Sequence, residues 1–229
     1  MYKAVVSDLD GTLLNEEHKV SPFTKETIEL LLKKGIKFYI ATGRGYVGAK
    51  EIMDEIGLKI PLITSNGARI VDENGAEIYV NNIEQKYVDK IFSINYKSFD
   101  KEIILNGFSG NHWYVTEDAR DYFYTQKPNR KQYPEQIEWK EFKKLAFTKI
   151  FFLGEHEKLL EIEKEVRKVT NGEVNIVFVN EKSLEIFSKD CDKAVAAVFL
   201  LLRDGLALKD AVSFGDGFND YDLITQTGL

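Results

Sequence analysis

The sequence contains few of the residues that build disulfides and soft-metal sites. Its 229 residues include one cysteine and three histidines. The single cysteine, Cys191, excludes an intrachain disulfide and any metal site made of several cysteines, and we interpret it as an inert thiol. No apolar run approaches about 20 residues, so the sequence predicts no membrane-spanning helix.

An excess of positive charge is also absent. The net charge is -6, which argues against nucleic acid or an anionic membrane as the main partner. A phosphorylated substrate would therefore need local cations or a metal ion. Hydrophobic residues make up 44% of the chain and charged residues 30%, as is typical of a globular protein with a real core. The chain enters a strand directly at its amino end, from which we expect no signal peptide and a cytoplasmic location.

Strand and helix signals alternate along the first third of the chain. The predicted elements are strands at residues 3–6, 36–41 and 61–65, with helices from Ser21-Pro22 to Gly35 and over residues 46–56. This rhythm is typical of a parallel sheet covered by helices on both faces, a Rossmann-like α/β fold. It resumes near the end of the chain with a helix at 192–203 and a strand at 211–214.

The middle of the chain has a different pattern, which begins with a hairpin signal at Asn74-Gly75. The predicted elements are helices at 84–98 and 156–169, strands at 102–106, 112–117, 122–126 and 148–153, a loop at 127–136, and paired strands at 174–179 and 183–187. We therefore expect residues 82–188 to form an inserted α+β domain. Residues 1–81 and 189–229 would form the core domain.

Polar residues follow the strands of the predicted core. Asp8 and Asp10 come after the first strand, Thr42-Gly43-Arg44 after the second, and Gly215-Asp216-Gly217-Phe218-Asn219-Asp220 after the last; Lys193 begins the late helix. Right-handed crossovers bring the carboxyl ends of parallel strands to one edge of the sheet, where such sheets bind ligands. The sequence thus predicts one site from residues up to 212 positions apart.

The aspartates of this site indicate a hard cation. Two close carboxylates resist ionising together unless a cation neutralises them or one stays protonated, so the pair predicts a metal site, an acid/base pair or both. A carboxylate set without histidine or cysteine favours Mg²⁺. Asp8 and Asp216 are the predicted direct ligands, with Asp220 as a further ligand or an orienting group.

The same residues suit phosphoryl transfer. Asp8 can attack phosphorus and form an aspartyl phosphate. Asp10 can protonate the leaving alcohol and later take a proton from water, which requires it to hold a proton in the first step. The hydroxyl of Thr42 and the backbone amides after it can hold phosphate oxygens, and Lys193 supplies a positive charge.

Four ordered motifs resemble those of the haloacid dehalogenase superfamily. They are Asp8-Leu9-Asp10-Gly11-Thr12-Leu13, Ala41-Thr42-Gly43-Arg44, Lys193, and Gly215-Asp216-Gly217-Phe218-Asn219-Asp220. The form of the last motif and the large insertion resemble the Cof-type phosphatases. The resemblance implies a Rossmann-like core, Mg²⁺ and hydrolysis of phosphate monoesters. It also implies that the Asp10 backbone carbonyl binds metal, that Asn219 contacts phosphate, and that the inserted domain is a cap over the substrate.

Two departures from the family pattern bear on the site. Asp190-Cys191-Asp192 places two additional acids beside Lys193, where the family usually has glycine and serine. The resemblance also implies a further strand, loop and helix after Gly228. Without them, we expect the strand at 211–214 to be a sheet edge with unpaired backbone groups.

Several other interpretations remain open at this stage. Gly43-x-Gly45-x-x-Gly48 matches the dinucleotide-binding fingerprint, but it follows the second strand, and no ribose-binding acid ends the third. A phosphomutase, a receiver-type phosphate acceptor and an inactive sugar-phosphate binder are further alternatives. We predict a Mg²⁺-dependent phosphatase of small metabolites, with sugar phosphates first. Asn66-Gly67 either forms a tight turn, which we favour, or lines the mouth of the pocket. Arg44 either contacts substrate or forms a surface ion pair.

Overall fold

The computed structural model describes residues 2–116, 122–123 and 133–229. The strands in this part of the chain are β1 (Ala4–Ser7), β2 (Lys37–Ala41), β3 (Leu62–Thr64), β4 (Arg69–Val71), β5 (Glu77–Val80), β6 (Ile104–Ser109), β7 (His112–Val115), β8 (Glu135–Gln136), β9 (Lys149–Leu153), β10 (Val174–Asn180), β11 (Ser183–Ser188) and β12 (Ala211–Phe214). The α-helices are α1 (Pro22–Lys33), α2 (Tyr46–Ile56), α3 (Gln85–Phe92), α4 (Trp139–Phe142), α5 (His156–Thr170), α6 (Lys193–Arg203) and α7 (Tyr221–Gln226).

The chain divides into two compact units. The first consists of Met1–Asn81 and Cys191–Leu229, and the second of Asn82–Asp190. The second unit therefore begins at the residue expected for the insertion and ends two residues after it.

The sheet of the first unit is parallel along most of its width. Its strand order is β12-β1-β2-β3-β4-β5, with parallel pairing from β12 to β3 and antiparallel pairing of β4 and β5 beyond it. One face packs on α6 through a cluster that includes Val6, Ile63 and Leu200. The other face packs on α1 and α2 through Ile28 and Ile52. Helices thus cover both faces, as the apolar strands predict.

Local sequence explains where the helices of this unit begin and end. The Ser21 hydroxyl accepts the backbone N–H of Thr24 at 3.0 Å, and Pro22 occupies the first helical position of α1. The second helix, α2, has the predicted bounds and ends at Gly57, whose φ of 69° is left-handed. Capping residues in the sequence therefore account for the start of α1 and the end of α2.

The second unit is a six-stranded sheet with helices on one face. Its strand order is β10-β11-β9-β6-β7-β8, antiparallel except for the short parallel pair of β7 and β8. Helices α3 and α5 pack on one face through residues such as Val88, Leu159 and Phe152. An aromatic cluster that includes Trp113 and Phe151 lies on the other.

Some predicted elements in this unit differ from the structure. The predicted helix at 84–98 ends as α3 at Phe92, because the following residues form a single tight turn at Tyr96–Ser98. The predicted loop at 127–136 contains β8 at its end, where pairing with β7 decides the conformation. The predicted strand at 122–126 lies largely outside the described residues.

The strand β12 is an edge of the first sheet within the described residues, as expected. Part of this edge is nevertheless hydrogen-bonded, because the N–H of Ser213 donates to the carbonyl of Leu229 at 2.9 Å and the N–H of Gly228 donates to the carbonyl of Ala211 at 3.0 Å. Among the helices of the described ranges, none combines the length and apolar character that crossing a membrane requires.

Candidate active site

The carboxyl ends of three neighbouring strands lie level at one edge of the first sheet. Ser7 of β1 pairs in register with Phe214 of β12 and with Ile40 of β2. The backbone N–H of Asp8 then donates to the carbonyl of Phe214 at 2.9 Å. The segments that leave these strands carry the predicted site residues Asp8, Asp10, Thr42, Gly43, Arg44, Asp216, Asn219 and Asp220.

Lys193 joins two of these acids in the interior of the unit. Its Nζ lies 2.6 Å from Asp8 Oδ1 and 2.7 Å from Asp220 Oδ1. Lys193 and Asp220 are each 1% exposed and Asp8 5%. Burial raises the pKa of the Asp8 carboxyl above its ordinary value, and the neighbouring Lys193 offsets only part of that shift. A further cation beside Asp8 would favour the ionised form that a nucleophile needs.

Three carboxylates form a group that could hold such a cation. One oxygen each from Asp8, Asp216 and Asp220 lies within 4.8 Å of the others. The Thr12 hydroxyl lies 3.4 Å from Asp216 Oδ1, and a side chain at Gly11 would collide with the same carboxylate. An all-oxygen donor set with one exposed member suits Mg²⁺, which keeps some of its waters. The residues present therefore fit the predicted metal.

Asp10 does not point into this buried group. Its carboxylate is 47% exposed and receives two hydrogen bonds from the Arg44 guanidinium, Nε to Oδ2 at 2.7 Å and a terminal nitrogen to Oδ1 at 2.6 Å. Both carboxylate oxygens of Asp10 therefore take part in a two-pronged pair with one guanidinium group. Of the two interpretations of Arg44, the structure contains the ion pair. The role predicted for Asp10, carrying a proton to a substrate, would require this pair to open.

The residues predicted to hold phosphate, Thr42 and Asn219, are connected to each other by hydrogen bonds through Asn66. Thr42, 1% exposed, accepts the backbone N–H of Arg44 on its hydroxyl at 3.1 Å. The carbonyl of Thr42 accepts the N–H of Asn66 at 3.1 Å, and Asn66 Oδ1 accepts a hydrogen bond from Asn219 Nδ2 at 2.9 Å. The sequence predicted a tight turn at Asn66-Gly67, or a position at the pocket mouth, but not the contact with Asn219. The available signal was a polar residue after the third strand, at the same sheet edge as the others.

Comparisons with known proteins place this geometry in a family. The chain matches the model of the haloacid dehalogenase-like hydrolases over residues 5–229. A protein of Buchnera aphidicola subsp. Baizongia pistaciae, which carries a provisional phosphatase name, is 38% identical over 231 residues, covering 100% of this chain and 85% of the relative. An HMP-PP phosphatase of Yersinia pseudotuberculosis is 27% identical over 228 residues, covering 100% of this chain and 82% of the relative.

A solved structure agrees with the fold. The crystal structure of a haloacid dehalogenase-like hydrolase from Bacteroides thetaiotaomicron superposes with a TM-score of 0.87 at 23% identity, covering 100% of this chain and 87% of that one. The predicted fold class and the prediction of a phosphatase-type hydrolase are thereby confirmed.

Proposed function

Because the chain belongs to the haloacid dehalogenase-like hydrolase family, we propose that it hydrolyses a small phosphorylated metabolite, with Mg²⁺, through an aspartyl phosphate formed on Asp8. The observation that carries this proposal is the buried contact of Asp8 with Lys193 at 2.6 Å. It lies beside carboxylates of Asp216 and Asp220 that suit a metal ion. A nucleophile, a fixed positive charge and a cation site then occupy one sheet edge.

The reaction has two steps. In the first, an oxygen of Asp8 forms a bond to phosphorus while the bond from phosphorus to the alcohol oxygen breaks, and Asp10 gives its proton to that oxygen. In the second, water attacks the same phosphorus, Asp10 takes a proton from it, and the bond from phosphorus to Asp8 breaks. The products are the alcohol and inorganic phosphate.

The surrounding residues stabilise charge in both steps. Lys193 balances charge on Asp8 and on the transferring phosphoryl group, while Thr42, the amides of Gly43 and Arg44, and Asn219 hold phosphate oxygens. Mg²⁺, bound by Asp8, Asp216, Asp220 and the backbone carbonyl of Asp10, would supply further positive charge against the phosphate. Arg44 would leave Asp10 when a substrate anion offers it another partner.

The acid role of Asp10 bears on the substrate class. A proton donor helps most when the leaving oxygen belongs to an alcohol, which leaves poorly as an alkoxide. Phosphate monoesters of alcohols, with sugar phosphates first, therefore fit the site best. The second unit, Asn82–Asp190, would be the cap domain that selects among them.

A phosphate-release panel tests this proposal. The panel contains sugar phosphates, pyridoxal phosphate, flavin mononucleotide and HMP-PP, each with and without Mg²⁺. Wild type should release phosphate only with Mg²⁺, and Asp8→Asn should lose on the order of 10³-fold or more in kcat while keeping its fold. Asp54→Asn is the matched control, because Asp54 is exposed on α2, where it pairs with Lys50; it should behave as wild type.

Three outcomes would contradict the proposal at different points. Turnover of Asp8→Asn close to wild type would remove the nucleophile assignment. No release by wild type from any ester would favour a sugar-phosphate binder. Transfer of the phosphoryl group to a sugar hydroxyl in preference to water would make the protein a phosphomutase.

A further inference from the structure

We propose that Asn66 is a positioning residue of the phosphate site, which holds the Asn219 side chain and the loop of residues 42–44 in their relative places. This inference rests on the proposed function, since it assigns a purpose to a residue that hydrogen-bonds to Thr42 and Asn219, two residues of the proposed phosphate site. The evidence lies in the backbone, the burial and the partners of the turn Ser65–Gly67.

The turn has a backbone that side chains rarely adopt. Ser65, Asn66 and Gly67 have consecutive φ values of 51°, 57° and 97°. Ser65 and Asn66 are also buried, at 2% and 7% exposure. Left-handed conformations at residues with side chains persist only where the surroundings fix them, and such residues cluster at functional sites.

Contacts on two sides fix this turn. The N–H groups of Ser65 and Asn66 donate to the carbonyls of Arg44 and Thr42, at 2.8 Å and 3.1 Å. On the other side, Gly67 packs so closely on the backbone of Asp192 that a side chain at this position would collide with it. The turn therefore lies between the loop that follows β2 and the residue that precedes Lys193.

The side chain of Asn66 extends this link to the last motif. Its Oδ1 accepts one hydrogen of Asn219 Nδ2 at 2.9 Å, and the same oxygen lies 3.0 Å from where a β-carbon on Gly43 would stand. An amide nitrogen has two hydrogens, so Asn219 keeps one for a phosphate oxygen. Asn219 is exposed to solvent, and this hydrogen bond restricts the rotation of its side chain before phosphate binds.

Asn66→Gly tests the side chain alone. Glycine adopts left-handed φ without a penalty from a β-carbon, so the two backbone hydrogen bonds of the turn should remain. We expect inhibition by inorganic phosphate to weaken roughly tenfold, the value of one well-placed hydrogen bond. The KM of the ester should rise similarly, with a smaller change in kcat. Asn171→Gly is the matched control, because Asn171 has a φ of 55° at the end of α5, in the other unit; it should leave both constants unchanged.

A double variant separates positioning from general structural support. If Asn66 acts through Asn219, Asn66→Gly should have no further effect on phosphate inhibition in an Asn219→Ala background. Additive losses would overturn the proposal, as would an unchanged inhibition constant in the single variant. Should the glycine variant fail to fold, Asn66→Ala removes the same acceptor oxygen without adding a charge. It must then weaken phosphate inhibition by a similar factor.

The wild-type measurements distinguish failure of this inference from failure of the proposed function. Wild type that hydrolyses esters and is inhibited by phosphate, together with an Asn66→Gly variant of identical constants, would overturn the positioning role alone. Wild type that neither hydrolyses esters nor binds inorganic phosphate would overturn the function and the positioning role with it.

Discussion

Replacement of Lys193 by methionine should destabilise the first unit by an amount that depends on pH. The change keeps an unbranched side chain of similar length but removes the charge that lies 2.6 Å from Asp8 and 2.7 Å from Asp220. Both acids are almost completely buried. Two close carboxylates then remain without a cation in the absence of metal.

Two considerations set the magnitude. Removing one partner of a buried ion pair typically costs about 3–5 kcal/mol. The carboxylates can limit this cost by binding one proton. At pH 7 that proton costs at most about 4 kcal/mol, from about 1.36 kcal/mol per pH unit above an ordinary aspartate pKa of about 3.9. We therefore expect a loss of about 3–4 kcal/mol at pH 7.

The sign of the pH dependence follows from the same proton. In the variant, the folded state holds a proton that the unfolded chain releases above about pH 4, so the unfolding free energy falls as the pH rises. At pH 5 the proton costs only about 1–2 kcal/mol, and the difference from wild type should shrink accordingly. Added Mg²⁺ should stabilise the variant more than wild type, because it neutralises the same acids.

Urea unfolding at pH 7 and pH 5, followed by far-ultraviolet circular dichroism, measures both effects. Tryptophan fluorescence does not follow the first unit, since Trp113 and Trp139 both lie in the second. Lys50→Met is the control: Lys50 is about half exposed in its pair with Asp54, and exposed pairs contribute little. A loss below about 1 kcal/mol at pH 7, or one that grows towards pH 5, would refute the reasoning.

Two further changes test the acid and a buried hydrogen bond. Asp10→Asn should lower kcat/KM for alkyl phosphates by roughly 10²–10⁴-fold but that for aryl phosphates less, because this constant reports the first step and a phenolate leaves without a proton; equal losses in kcat/KM would contradict the acid role. Tyr39→Phe removes the hydroxyl that donates to Asp204 at 2.5 Å. Burial alone raises the pKa of Asp204, but Tyr39, Lys37 and Arg203 together lower it below its ordinary value. This stabilisation exists above about pH 4 and is lost as the pH falls through the folded pKa. The variant should therefore lose about 1 kcal/mol at pH 7 and less at pH 3 in urea titrations.

The fold of the first unit was predictable because its signals are local. The helix α2 has the predicted bounds, since Gly45 and Gly57 flank an unbroken amphipathic segment. Because parallel strands bring their carboxyl ends to one edge of the sheet, the proximity of Asp8 and Asp220 could be predicted without knowing their contacts. The elements that were missed depend on distant partners. The two residues of β8 form a strand only through β7, and α4 is a single turn whose Phe142 enters the core of the second unit.

The details of the site were less predictable than its location. The role predicted for Asp10 requires it to hold a proton in the first step, whereas the structure places the guanidinium of Arg44 against its carboxylate. The Arg44 side chain is long and the Asp10 side chain is exposed, so each could reach several partners. Their spacing in the sequence does not determine which partner each one contacts. The contact of Asn66 with Asn219 joins residues 153 positions apart. No local pattern at either residue contains that information.

The acids beside Lys193 show why neighbours in sequence do not define the surroundings of a charge. Asp192 directly precedes Lys193 in the sequence, a position that would put a competing anion next to the cation of the site. Its carboxylate instead accepts the backbone N–H groups of Ala194 at 2.6 Å and Val195 at 3.2 Å, which makes it the N-cap of α6. The ammonium group of Lys193 has different partners, the carboxylates of Asp8 and Asp220. Because Lys193 is the first residue of that helix, the cap fixes the backbone from which its side chain enters the site. The acid that looks like a competitor therefore stabilises the helix end that presents the cation to Asp8.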